Sequence, residues 1–362
     1  MGIRFPVAFV SLLMAGAAMI GCNGEVSSQN AASVNVEHRT NPRSYDEGMG
    51  NLAIYDTPEK YTYENFLSDL HQLERMYGDQ IRCIKLCDTH DGRGVYDIIL
   101  GDPGGKNQIL IFASMHAREY ITTQVVMRQL CDALRVRTGG DASAYRGVSR
   151  KSLLESVTVH FVPLNNPDGV AISQFGLGGV HREQLRKAVA SMAGNDYEQW
   201  KANAVGVDLN RNFDAGWQEF GGSPIPASER YKGAYPGSEP EAAALIDLTK
   251  RYPIRRAISY HTCGALIYWY YKQKGDVLAE SRRFASLLEE ETGYPLDDDY
   301  TSVDAAGFKD WAVYRMGIPS VTIEVGAEHG RSIVNPVPIG RFTDIWARNK
   351  NVVYAAAYSL QH

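Results

Sequence analysis

From Tyr61 to its C-terminus the chain alternates short apolar runs with stretches whose apolar residues recur at helical spacing, which restricts its fold more than any other feature. Gln108-Ile-Leu-Ile-Phe-Ala113 is the clearest run, and its lack of interruption predicts a strand buried on both faces. A helical pattern follows from about Tyr120 to Val136. Upstream, Glu64–Tyr77 sets Phe66, Leu67, Leu70, Leu73 and Met76 on one helical face. Arg82–Leu86 and Val95–Leu100 read as strands around the Asp91-Gly92 turn. Downstream, strands are predicted over Val157–Leu164, Ile254–Tyr260 and Pro319–Val325. Helices are predicted over Ser238–Arg251, Asp276–Thr292 and Ile339–Leu360. Asn166-Pro167-Asp168-Gly169 reads as a turn, Ser238-Glu239-Pro240-Glu241 as a capping box, and Gly293 as a helix stop. The pattern predicts an α/β fold: a single domain whose mostly parallel mixed sheet carries helices on both faces.

The N-terminus is different. Arg4 precedes an uncharged apolar stretch, Pro6 to Ile20, too short to span a bilayer and followed by small residues, as in a signal peptide. Met19-Ile20-Gly21-Cys22 is similar to a bacterial lipobox, which would place a lipid on Cys22. The expected organisation is a signal over residues 1–21, a linker over 22–57 and a catalytic domain over 58–362. Export to the cell envelope, the periplasm or the outside follows as an expectation, with lipidated Cys22 the one link to a membrane. Cys83 and Cys87 share a predicted strand, about 13 Å apart, too far for a bridge. A net charge of -5 lacks a polybasic signature and argues against a nucleic-acid partner. A monomer is expected.

Chemistry gathers at three strand ends. His116 and Glu119 lie just past the Gln108–Ala113 run, His261 follows Ile254–Tyr260, and Glu324 ends the Pro319–Val325 run. In open α/β sheets ligands bind beyond the carboxyl ends of the strands. Two imidazoles and a carboxylate suit a catalytic zinc that keeps one position open, and a second carboxylate can then move the proton. Each residue alone carries little weight, since a His–x–x–Glu pair arises often by chance and a strand-end His is usually structural. His38, His71, His90, His160, His181, His329 and His362 have no partner spacing and read as structural or surface residues. GxSxG, HExxH and Walker-type patterns are absent from the sequence.

Four blocks add a resemblance. Ser114-Met115-His116-Ala117-Arg118-Glu119-Tyr120, Val207-Asp208-Leu209-Asn210-Arg211-Asn212-Phe213, Ser259-Tyr260-His261 and Thr322-Ile323-Glu324-Val325 resemble the signatures of the zinc carboxypeptidase family, in the family's order. The resemblance implies one Zn²⁺ held by His116, Glu119 and His261, the His₂Glu set that carboxypeptidase A uses. It implies Glu324 as catalytic base and Asp208 as the carboxylate that orients His116. It also implies Asn210 and Arg211 as the grip on a substrate carboxylate, with Arg118 in the neighbouring subsite. The chain departs from the family in two places. Where many members place an Arg after a Trp to polarise the scissile carbonyl, Lys201 follows Trp200, with Arg182 or Arg186 as alternatives. The family's mobile tyrosine is matched only approximately, by Tyr300.

Ala306-Gly307-Phe308-Lys309-Asp310-Trp311 resembles the family's specificity loop, with Lys309 at or beside the selecting position. A cation there favours a carboxylate on the leaving residue. Together with the Trp200–Asn203 stretch, this looks most like bacterial γ-D-glutamyl–diaminopimelate peptidases. The expected reaction is hydrolysis of that bond in peptidoglycan stem peptides. The alternatives are a general metallocarboxypeptidase and, from another class, an inactive peptide-binding protein on the same scaffold.

Overall fold

The Gln108–Ala113 run lies at the centre of the sheet, and all six residues are buried. The structure, a computed structural model, describes residues 49–297, 299, 305–326 and 334–361. In chain order the strands are β1 (Ile81–Asp88), β2 (Gly94–Leu100), β3 (Gln108–Ala113), β4 (Ala144–Tyr145), β5 (Val148–Ser149), β6 (Thr158–Val162), β7 (Ile254–Thr262), β8 (Leu266–Tyr268) and β9 (Ser320–Val325). Strands β4 and β5 form a separate small hairpin. The others build a mixed sheet in the order β1-β2-β6-β3-β7-β9-β8. Its four central strands, β6, β3, β7 and β9, run parallel, and the flanking strands are antiparallel. This is the predicted α/β class.

Alternation along β3 splits the core in two. Ile109, Ile111 and Ala113 pack with helices Tyr63–Tyr77, Ile121–Thr138, Gly275–Thr292 and Val352–Tyr358. Leu110 and Phe112 face the other way, with helices Pro240–Arg251 and Phe308–Tyr314. Each fully buried Ile, Leu or Phe contributes roughly 1.5–3 kcal/mol of transfer free energy. Covering both faces requires apolar residues at successive positions, which is why the run has no period of two.

Several local expectations change. Asn166 is the N-cap of a helix, Pro167–Phe175: its side chain accepts from the Gly169 N–H, and Pro167 sits in the first turn. The stretch read as a turn is therefore a helix start. The helix at Pro240–Arg251 starts with Glu239 as its N-cap and without a side-chain capping box; the Ser238 hydroxyl donates to Glu239 Oε1 at 2.8 Å instead. The terminal helix is broken into Phe342–Asn349 and Val352–Tyr358. Gln129 Nε2 takes the Asn349 carbonyl at 2.8 Å, and the Asn349 amide donates to the Ile345 carbonyl at 2.9 Å. Helices Arg150–Glu155, Glu183–Ala193 and Phe308–Tyr314 were not predicted. Gly293 does stop its helix, in the left-handed conformation at φ 69°.

Packing also starts earlier than the linker boundary at residue 57. Met49, Leu52 and Ile54 are buried in the core. The Asp69 carboxylate accepts the Ala53 and Ile54 N–H groups at 2.7 and 2.9 Å and the Tyr61 hydroxyl at 2.8 Å, which pins that segment down. Cys83, Cys87, Cys131 and Cys263 are free thiols, which for Cys83 and Cys87 is what the spacing predicts. Cys22 and the signal-like stretch lie outside the described residues. Among those described, no helix is long and apolar enough to cross a membrane.

Candidate metal centre

Strand β3 ends at Ala113, and the chain turns sharply at Ser114, whose φ is 51°. Thr122 and Thr123 hydroxyls hold that serine, and Thr122 also donates to the Glu119 carbonyl at 2.7 Å. The result is a single 3-10 turn, Ala117–Glu119, immediately after His116. Residues three apart share a side of such a turn, so His116 and Glu119 face the same way. His261 arrives on β7, paired in register with Glu324 on β9, while Ala113 pairs with Tyr260 on the other side. Three strand ends thus deliver four side chains to one point.

The distances are short. His116 Nδ1 lies 2.9 Å from Glu119 Oε1, His261 Nδ1 lies 2.9 Å from Glu119 Oε2, and the two Nδ1 atoms are 3.0 Å apart. At most one hydrogen fits between the two nitrogens, so as neutral rings they turn at least one lone pair on a common point, beside a carboxylate. That donor set fits a divalent metal, and its His₂Glu composition fits zinc. Burial and the nearby Lys201 and His261 hold the His116 pKa below its ordinary value, which favours the neutral ring a metal requires. Burial alone would raise the Glu119 pKa, but the two imidazoles outweigh it and keep the carboxylate ionised.

Asp208 stands behind His116. Its Oδ1 is 3.2 Å from His116 Nε2, an ion-pair distance without hydrogen-bond alignment, and its Oδ2 is 3.2 Å from Lys201 Nζ. Burial opposes its ionisation, yet Lys201 and His116 hold its pKa well below the carboxylate range. Lys201 therefore does reach the centre, where its ammonium rests on Asp208. Arg186, one of its alternatives, is spent on the Val180 carbonyl and Glu183. Glu324 is pushed up to about 7 by burial and by Glu119, against the lowering fields of His261, Lys201 and Arg211.

Asn210 and Arg211 occupy the 3-10 turn Leu209–Arg211. Asn210 Oδ1 accepts the Phe308 N–H at 3.0 Å, which ties this turn to the predicted specificity loop. Arg211 lies over the Phe220 ring at 5.1 Å. Arg118 donates to the Gln199 carbonyl at 3.0 Å and pairs with Glu229 at 3.4 Å. Lys309 Nζ sits 2.6 Å from Asp310 Oδ1 and donates to the Tyr270 carbonyl at 2.8 Å. Its charge is thus partly neutralised, which the sequence reading of a free cation does not anticipate. Tyr300 lies outside the described residues. A support missing from that reading is Asn212, within one of the quoted blocks. Its amide donates to the Lys232 and Tyr235 carbonyls and its Oδ1 accepts the Glu239 N–H, fixing the loop that carries Asp208 to Arg211.

The profile of the zinc carboxypeptidase family matches residues 66–336. This chain belongs to that family. It is a zinc-dependent metallopeptidase, and its relatives agree. A γ-D-glutamyl-L-diamino acid endopeptidase of Lysinibacillus sphaericus is 30% identical over 83% of this chain and 73% of its own length. A metallocarboxypeptidase A of Trichophyton tonsurans is 28% identical over 58% of this chain and 45% of its own length. Bovine thrombin-activatable fibrinolysis inhibitor, solved with tick carboxypeptidase inhibitor, superposes with a TM-score of 0.67 at 22% identity, over 85% of this chain and 99% of that one. This last likeness concerns the fold alone.

Proposed function

We propose that this zinc carboxypeptidase-family enzyme is exported and hydrolyses the γ-D-glutamyl–diaminopimelate bond of peptidoglycan stem peptides. The observation that carries the reading of the centre is the convergence of His116, Glu119 and His261 beside Glu324, its register partner across β7 and β9. Zinc bound there supplies a Lewis acid for the scissile carbonyl and brings the pKa of a water towards neutrality. Glu324 takes the proton from the attacking water and hands it to the leaving amine, a task suited to a carboxyl whose pKa lies near neutrality. Asp208, with Oδ1 3.2 Å from His116 Nε2, is the carboxylate placed to orient that ring, with Nδ1 left for the metal. Lys201, resting on Asp208, brings to the centre a positive charge of the kind that stabilises an oxyanion. Asn210 and Arg211 hold the terminal carboxylate of the substrate, Arg211 through its fork of N–H groups.

Two facts support the wall substrate. The Lysinibacillus relative is named for γ-D-glutamyl-L-diamino acid cleavage. Lys309 has three N–H donors, of which Asp310 and Tyr270 take two, leaving one for a carboxylate on the leaving residue. The Asp310 pairing favours the second reading, a general metallocarboxypeptidase, because it weakens the pull on a second carboxylate. The test is mass spectrometry of products from a γ-D-glutamyl–diaminopimelate muropeptide and from ordinary peptides, with Glu324→Gln as control. Cleavage confined to the muropeptide is expected; stepwise loss of C-terminal residues from ordinary peptides would replace this reading with the second.

A further inference from the structure

A second cluster of ligand-type side chains lies away from the catalytic centre. His90 sits in the turn between β1 and β2, and Glu239 and Glu241 open helix Pro240–Arg251, about 150 residues later. One ligand atom from each lies within 4.8 Å of the others. We propose that His90, Glu239 and Glu241 form a second metal site, for a divalent transition ion such as zinc, behind the loop that carries Asp208, Asn210 and Arg211.

His90 Nε2 lies 3.0 Å from Glu239 Oε2, so the imidazole already points at the carboxylate pair. Glu241 has no solvent-exposed surface, and its Oε1 makes no hydrogen bond. Leaving such an oxygen unsatisfied is costly, and a proton on the carboxyl would not supply the missing donors. The cation nearby in sequence does not fill the need, since Arg93 is spent on Asp91 and Asp168 at 2.9 and 3.0 Å. Glu241 also feels the negative charge of Asp168 and Glu239, a concentration of carboxylates that a bound dication would offset. One imidazole and two carboxylates suit zinc or manganese better than calcium, which prefers oxygen alone. The half-exposed His90 leaves room for water to complete the coordination.

The site is well placed to stiffen the active-site loop. Asn203 donates to Glu239 Oε2 at 2.7 Å, and its Oδ1 accepts the Val205 and Val207 N–H groups. Glu239 also gives its own N–H to Asn212. An ion on Glu239 would therefore anchor both ends of the segment from Asn203 to Asn212.

The experiment strips the full chain with chelator, titrates it with zinc chloride, and counts bound zinc after gel filtration. Two equivalents are expected for the unaltered protein and one for His90→Ala, which changes a half-exposed residue and leaves the core intact. One is expected for His261→Ala and none for the double variant. Zinc should still raise the Tm of His261→Ala, and that rise should vanish in the double variant. A single equivalent in the unaltered protein, or two retained by His90→Ala, would overturn the proposal. Glu241→Gln, similar in shape, should match His90→Ala in zinc count; if it keeps the second equivalent, Glu241 is not a ligand and the proposed site fails.

Discussion

Two regions of this molecule bury histidines beside carboxylates, and they do so to opposite ends. His160 on β6 has no exposed surface, and each ring nitrogen faces an oxygen at 2.7 Å, Asp97 Oδ2 on one side and Gln108 Oε1 on the other. Gln108 is itself oriented by two donated bonds, to the Pro103 and Gly105 carbonyls, so its oxygen is the atom left for His160. Both ring nitrogens there have a partner, although the buried Asp97 Oδ1 has none. At the catalytic centre, by contrast, His116 and His261 turn their Nδ1 atoms towards each other, and the buried His261 Nε2 has no hydrogen-bond partner. Burial and a neighbouring carboxylate do not distinguish a ligand from a core histidine. What distinguishes them is that the His160 nitrogens face two separate partners, whereas the His116 and His261 Nδ1 atoms converge on one carboxylate and on each other.

The largest expected effect breaks the open cluster. His261→Ala should remove the catalytic zinc and reduce hydrolysis to background, read by metal content and turnover together; retained catalytic zinc would mean that the convergent nitrogens are not ligands. Glu324→Gln should lower kcat by about 10²- to 10⁴-fold with the zinc content unchanged, the loss typical of a general acid–base group. His160→Ala tests the closed cluster. It should cost about 3–5 kcal/mol, because Asp97 would be left buried without its partner, with denaturant midpoints as readout. The folded fraction should keep its zinc and its kcat, and loss of either would erase the distinction between the two regions. The smallest effect is expected from Lys309→Ile, which should shift selectivity roughly tenfold away from acidic leaving residues, about 1.4 kcal/mol, measured by competing substrates.

The contrast also marks how far the sequence could be read. The buried run at Gln108–Ala113 was legible to the residue because burial on two faces leaves a signal that needs no partner information. His116, Glu119, His261 and Glu324 were legible because each follows or ends a strand, and strand ends in a parallel sheet converge. His160 reads from sequence only as structural or surface, because its partners Asp97 and Gln108 are 63 and 52 residues away and no spacing rule links them. His90 was set aside on the same ground, although Glu239 lies against it across 149 positions. Short helices such as Phe308–Tyr314 were hidden for a different reason. Seven residues make only two turns, and the Asp310 carboxylate that caps its start by accepting the Gly307 N–H carries no periodic signal. The break at Lys350-Asn351 depends on Gln129 reaching a carbonyl 220 residues away.

The register of β7 between β3 and β9 has a consequence for biosynthesis. His116 and His261 are 145 positions apart, and their strands must pair before the two rings can meet. A nascent chain interrupted before residue 261 carries two of the three ligands and no proton carrier. Acquisition of the catalytic metal therefore has to follow synthesis of β7, which makes that ion a reporter of paired central strands.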